Sequence, residues 1–171
     1  VWKDADIPYA AETCVSGAFW AAGQNCIGVQ RVYIQKDAYG EFRDRFVDLT
    51  QKYRIGDKML EETDMGPMIT EGEAKRLEGW IQDAQKMGAK VLCGGGRKGA
   101  RREPTVLENV PENATLHREE VFGPTVNLYP VDTVEEALEK ANSIEYGLHA
   151  ACFSGSVDTA FKLACGLDAG G

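Results

Sequence analysis

Short β-branched or aromatic runs alternate with amphipathic helical segments along almost the whole chain, and that alternation restricts the fold more than any other feature. Asp6 is placed to cap a helix carrying Ile7, Ala10, Ala11, Cys14, Val15, Ala18, Phe19 and Ala22 at three-and-four spacing. Pro8 is tolerated in its first turn and Gly23 marks its end. Ile27 to Gln35 reads as a strand through Val29, Val32, Tyr33 and Ile34. Asp37 then reads as the cap of a helix with Tyr39, Phe42, Phe46, Leu49 and Tyr53 on one face. After a loop from Arg54 to Ile69, Thr70 and Glu73 have capping-box spacing ahead of Leu77, Trp80, Ile81, Ala84 and Met87, with Gly88 as a stop. Thr133 and Glu136 repeat the pattern ahead of Ala137, Leu138 and Ala141. Lys90 to Cys93, Thr105 to Leu107, Val126 to Tyr129 and His149 to Phe153 read as strands, and a last helix runs from Val157 to Cys165 before Gly166. Strands alternating with helices of this length predict an α/β fold, a three-layer αβα arrangement with a largely parallel sheet.

With 171 residues, 43% of them hydrophobic, the chain can bury one good core and is expected to form one domain over residues 1–171. Its formal charge of -8 argues against a nucleic-acid partner, because phosphate backbones are bound by concentrated Lys and Arg. No apolar run approaches the roughly 20 residues needed to cross a bilayer, so no membrane partner is expected and the chain reads as soluble. It begins at Val1-Trp2-Lys3-Asp4 without an initiator Met and stops at Ala169-Gly170-Gly171, which reads as a piece of a longer protein. The five cysteines are odd in number, widely spaced and without a neighbouring His at ligand spacing. That pattern implies a reducing, cytoplasmic compartment and no metal. Gly94-Gly95-Gly96 follows a strand, but Arg101-Arg102-Glu103-Pro104 leads into another strand and not a helix, so the segment reads as a solvated loop and not a phosphate cradle.

Among the cysteines, Cys26 stands apart. Gly23 allows a sharp turn after the first helix, and Gln24-Asn25 keep the approach polar, so the thiol can face a cleft. Cys14, Cys152 and Cys165 fall on a helix face, in a strand and at a helix end, where packing accounts for them, and Cys93 fits either reading. Activating Cys26 needs help, because the C-terminal end of a helix disfavours a thiolate and Arg31 lies five residues on. Downstream, Glu120 and Phe122 are spaced by two in Glu120-Val121-Phe122-Gly123-Pro124. In an extended loop both would project to one side, a carboxylate to accept ribose hydroxyls and a ring to pack on a nicotinamide. The bland alternative is a surface carboxylate and a core aromatic. The two histidines, His117 in a loop and His149 in a strand-like run, leave a Cys-His hydrolase as a weaker possibility.

An ordered series of segments resembles the catalytic domain of the aldehyde dehydrogenase superfamily: Gly23-Gln24-Asn25-Cys26, Val29-Gln30-Arg31-Val32-Tyr33, Asp64-Met65-Gly66-Pro67-Met68-Ile69, Glu103-Pro104-Thr105-Val106-Leu107, Glu119 to Pro124, Ala141 to Leu148 and Gly170-Gly171. The resemblance implies Cys26 as nucleophile with its backbone amide in an oxyanion hole, Asn25 and Ile27 beside the substrate, and Glu120 and Phe122 against the nicotinamide riboside of NAD or NADP. It further implies a small aldehyde as substrate, a hydrolysed thioester and a homo-oligomer, dimer or tetramer. The dinucleotide-binding domain, the general-base glutamate and the side-chain oxyanion donor of such enzymes all precede the region covered here. An enzyme that passes the acyl group to CoA, and a non-catalytic protein that keeps the fold, are the alternatives.

Overall fold

The computed structural model describes residues 1–171. Helix α1 (Ile7–Phe19) opens on Asp6, whose Oδ1 accepts from Tyr9 N at 3.0 Å. A single 3₁₀ turn (Trp20–Gly23) follows, and the chain then enters β1 (Arg31–Gln35) and α2 (Lys36–Gln51). Next come α3 (Glu71–Lys86), β2 (Lys90–Cys93), the small hairpin β3 (Arg97–Lys98) and β4 (Arg101–Arg102), and β5 (Thr105–Glu108). The remainder is α4 (Thr115–Arg118), β6 (Thr125–Val131), α5 (Val134–Ala141) and α6 (Val157–Gly166).

The main sheet has the order β1-β6-β5-β2, with β1, β6 and β5 parallel and β2 antiparallel to β5. Because side chains alternate along a strand, its two faces feed two cores. Val32, Ile34, Val106, Val126 and Leu128 pack under α1 and α2, where Phe19, Phe42 and Phe46 are fully enclosed. Leu107 and Tyr129 point the other way, to Leu77, Ile81 and Ala84 of α3 and Leu116 of α4. The predicted three-layer α/β arrangement is therefore the observed one. Central β6 is covered on both faces and buried almost throughout, its polar Asn127 included, whose Nδ2 donates to Leu116 O at 3.1 Å. Each enclosed phenylalanine contributes about 1.5–3 kcal/mol of transfer free energy.

Several local expectations are corrected. Helix α1 stops at Phe19 and not Ala22, because Ala21 and Ala22 take left-handed φ of 52° and 57°. Only Arg31 to Gln35 of the expected longer strand finds a partner, in β6. Helix α2 starts at Lys36 directly from the strand without a side-chain cap, and Asp37 instead accepts from Lys3 Nζ at 3.1 Å. His149 to Phe153 forms no strand and is largely exposed. The glycine-rich segment does run into strands and not a helix, but it is no simple solvated loop. Arg102 is 1% exposed and donates to Ala74 O at 3.4 Å and Gly95 O at 3.2 Å. The histidines exchange places with expectation: His117 is buried in α4, with Nδ1 2.7 Å from Tyr129 Oη, while His149 is exposed.

Candidate active site

The Cys26 turn is built from backbone strain and two amides. Ala21, Ala22 and Gly23 are left-handed in succession, φ 52°, 57° and 66°. For the two alanines this costs about 1–2 kcal/mol each. The strain is held by contact. A Cβ on Gly23 would lie 2.3 Å from Gly123 O, so the bare backbone of one loop rests on the backbone of the other. Gln24 ties the turn down twice, donating from Nε2 to Ala21 O at 3.2 Å and accepting at Oε1 from Ile69 N at 2.8 Å. Asn25 Nδ2 reaches back to Trp20 O at 3.4 Å, and Gly28 N donates to Asn25 O at 3.3 Å, which leaves Cys26 and Ile27 at the corner of a turn. Both are exposed. Asn25 Oδ1 is buried with no hydrogen-bond partner.

The second loop, Glu119 to Pro124, descends from α4 to β6. Phe122 has a left-handed φ of 49°, so the loop is not extended and the expected alternation of side chains does not apply. Glu120 and Phe122 nevertheless both remain exposed, the latter at 42%. Arg76, stacked 4.3 Å over Trp80, donates to Val121 O at 2.9 Å. Gln30 bonds to the backbone on either side of Glu120. A groove of about 550 Å³ results, and Asn25, Cys26, Ile27, Glu120 and Phe122 all line it.

The other thiols differ from Cys26 in setting. Burial pushes Cys14 and Cys93 up to about 11 and raises Cys152 as well, so these three are held as thiols. Cys165 is exposed, contrary to its expected packing role. Arg31 donates to Tyr33 Oη at 3.1 Å and Ala141 O at 3.4 Å and makes no hydrogen bond to Cys26. His117 belongs to the core beneath α3 and does not line the groove, whereas His149 does, without a hydrogen bond to Cys26. No group of three or more His, Cys, Asp or Glu side chains is disposed to hold a metal, and no helix is long and apolar enough to cross a membrane.

The family model described as "Aldehyde dehydrogenase family" matches residues 1–171. This chain belongs to the aldehyde dehydrogenase family. An aldehyde-dehydrogenase-like protein of Sinorhizobium fredii is 48% identical over 171 residues, all of this chain and 33% of that relative. Among solved structures, aldehyde dehydrogenase 21 of Physcomitrella patens in complex with the reaction product succinate superposes with a TM-score of 0.96 at 38% identity. That match covers 99% of this chain and 36% of the other. Glyceraldehyde-3-phosphate dehydrogenase of Methanocaldococcus jannaschii complexed with NADP gives a TM-score of 0.96 at 35% identity, over 99% of this chain and 37% of the other. The chain thus spans about a third of the length of the family members it matches.

Sequence reasoning named the two segments that line this groove but missed the clamping roles of Gln24, Gln30 and Arg76. Polar side chains with no periodic role carry no pattern; the only signal was that Gln24 and Gln30 fall within the segments that resemble the family, and Arg76 had none.

Proposed function

We propose that this chain supplies the thiol-bearing catalytic domain, residues 1–171, of an NAD(P)-dependent aldehyde dehydrogenase that oxidises a small aldehyde to its carboxylic acid. The observation that carries this reading is the contact of Gly23 with Gly123, which brings the exposed Cys26 and the Glu120 and Phe122 pair onto one groove. With its thiol proton passed to the general base supplied by the rest of the enzyme, Cys26 Sγ attacks the aldehyde carbon, a C–S bond forms as the C=O π bond opens, and the resulting oxyanion is stabilised by the Cys26 backbone N–H. Asn25 and Ile27 flank the aldehyde. The chemistry that a nicotinamide supplies when bound is acceptance of hydride from that carbon, leaving the acyl group on sulfur. Water then displaces Cys26 from the thioester and the acid leaves. The groove fits such a cofactor: the Glu120 carboxylate is exposed and free of protein ion pairs, ready to accept hydroxyl hydrogen bonds, and the Phe122 ring offers a solvent-facing apolar surface. Under the same reading the intact enzyme is a cytoplasmic homo-dimer or tetramer, and its dinucleotide-binding domain, general base and second oxyanion donor lie outside residues 1–171.

The test is Cys26→Ser in the intact enzyme, which should lower aldehyde oxidation roughly a thousandfold or more while NAD(P) affinity persists. Substantial retained turnover would refute the assignment. Product analysis with and without CoA separates hydrolysis from acyl transfer: free acid formed in the absence of CoA supports the hydrolytic reading.

A further inference from the structure

Gln30 stands where the Cys26 segment enters β1, but its side chain reaches across to the Glu120 loop. Nε2 donates to Glu119 O at 2.8 Å and Oε1 accepts from Val121 N at 3.1 Å, so one amide holds the backbone immediately before and immediately after Glu120. A primary amide can donate to a carbonyl and accept from an N–H at once, and the complementary pair fixes which end is oxygen. The main chain of Gln30 is itself anchored, its carbonyl accepting from Asn127 N at 2.9 Å in β6. The clamp therefore ties the loop to the sheet. Glu120 has no hydrogen bond or ion pair from its own side chain to the protein, so its direction is set by its backbone alone.

We propose that Gln30 is a positioning residue that fixes where the Glu120 carboxylate and the Phe122 ring stand in the groove, and thereby governs nicotinamide-cofactor affinity without touching the cofactor. This rests on the reading of Glu120 and Phe122 as cofactor contacts. Gln30→Leu removes both bonds at nearly constant size. Gln30→Glu keeps the acceptor for Val121 N and turns the donor to Glu119 O into a repulsive oxygen.

In the intact enzyme, NAD and NADP affinities are measured by titration calorimetry, amide exchange by mass spectrometry without cofactor, and Cys26 reactivity by iodoacetamide alkylation. Gln30→Leu should speed exchange of the Val121 amide and weaken cofactor binding roughly tenfold, the scale of one or two net hydrogen bonds. Gln30→Glu should also weaken cofactor binding, because its second oxygen repels Glu119 O. Added to Glu120→Gln, Gln30→Leu should cost little more, because its effect passes through Glu120. Alkylation of Cys26 should be unchanged. If Glu120→Gln weakens cofactor binding and Gln30→Leu does not, the positioning role is overturned and the cofactor reading stands. If neither variant does, both fall. Lost protection spread over β1 and β6 would mark Gln30 as merely structural and would also overturn the proposal.

Discussion

Gly23 is where two segments 100 residues apart in sequence share a van der Waals surface, and its requirement is double: a left-handed φ of 66° and no Cβ toward Gly123. Gly23→Ala should therefore cost about 1–3 kcal/mol from overpacking alone. The loop separation should also impair turnover beyond what the lost stability explains. Wild-type denaturant midpoints together with wild-type kinetics in this variant would show that the contact is slack. His117 carries a second residue-scale expectation. Burial, with further effects from Arg31, Lys140 and Arg118 against Glu112, holds its pKa below the ordinary value, and Nε2 has no partner. The folded state thus keeps His117 neutral while the unfolded chain takes up a proton near pH 6.5. Its contribution is fully present above that pH and is lost as pH falls through it toward the lowered folded value. Urea midpoints should accordingly drop more between pH 7 and pH 5 in wild type than in His117→Gln. Parallel pH dependences would remove His117 as the cause.

Helix ends account for much of what held and much of what shifted at the scale of elements. Thr70 Oγ1 accepts from Glu73 N at 3.1 Å and Thr133 Oγ1 from Glu136 N at 3.1 Å, as a capping box requires. The return arms differ: Glu73 turns to Arg76, and Glu136 accepts from Asp132 N at 2.7 Å. Thr70→Ala should destabilise by about 1 kcal/mol. Because α3 carries Arg76, the variant should also loosen the Val121 backbone that Arg76 holds. Amide exchange at Val121 no faster than in wild type would separate the two effects. Helix α6 ends under a clamp that no local pattern announced: Asn142 donates from Nδ2 to Gly166 O at 2.8 Å and accepts from Asp168 N at 3.0 Å.

As a whole molecule, the chain presents a two-sided core and a groove whose far wall, including Leu148, Ala150 and Ala151, is exposed. Trp20, Tyr9 and Phe161 are also more than 60% exposed. With about a third of the length of its relatives, the 171-residue chain is expected to show no NAD- or NADP-dependent turnover by itself. Under the proposed function a second oxyanion donor, a phosphate-binding segment and a base lie outside these residues, and lack of one oxyanion donor alone costs roughly 100- to 1000-fold in rate. Nicotinamide absorbance with a panel of small aldehydes checks this. Clear turnover dependent on Cys26 would mean that the cofactor site lies within these residues.

The sequence by itself determined the layer architecture, the main helices, the strands that pair in the sheet, and the family, because each rests on periodicity, capping chemistry or an ordered run of segments, all local or one-dimensional signals. It also separated Cys26 from Cys14 and Cys152, left Cys93 open, and wrongly assigned Cys165 a packing role. Tertiary structure decided the rest. That Ala21 and Ala22 leave the helix for left-handed φ runs against intrinsic propensity, and the turn they form is the one that seats Gly23 on Gly123. Whether His117 or His149 is buried depends on which segment finds a sheet to lie on. Whether His149 to Phe153 is a strand depends on a neighbouring edge, because a strand's hydrogen bonds, unlike a helix's, must come from elsewhere in the chain.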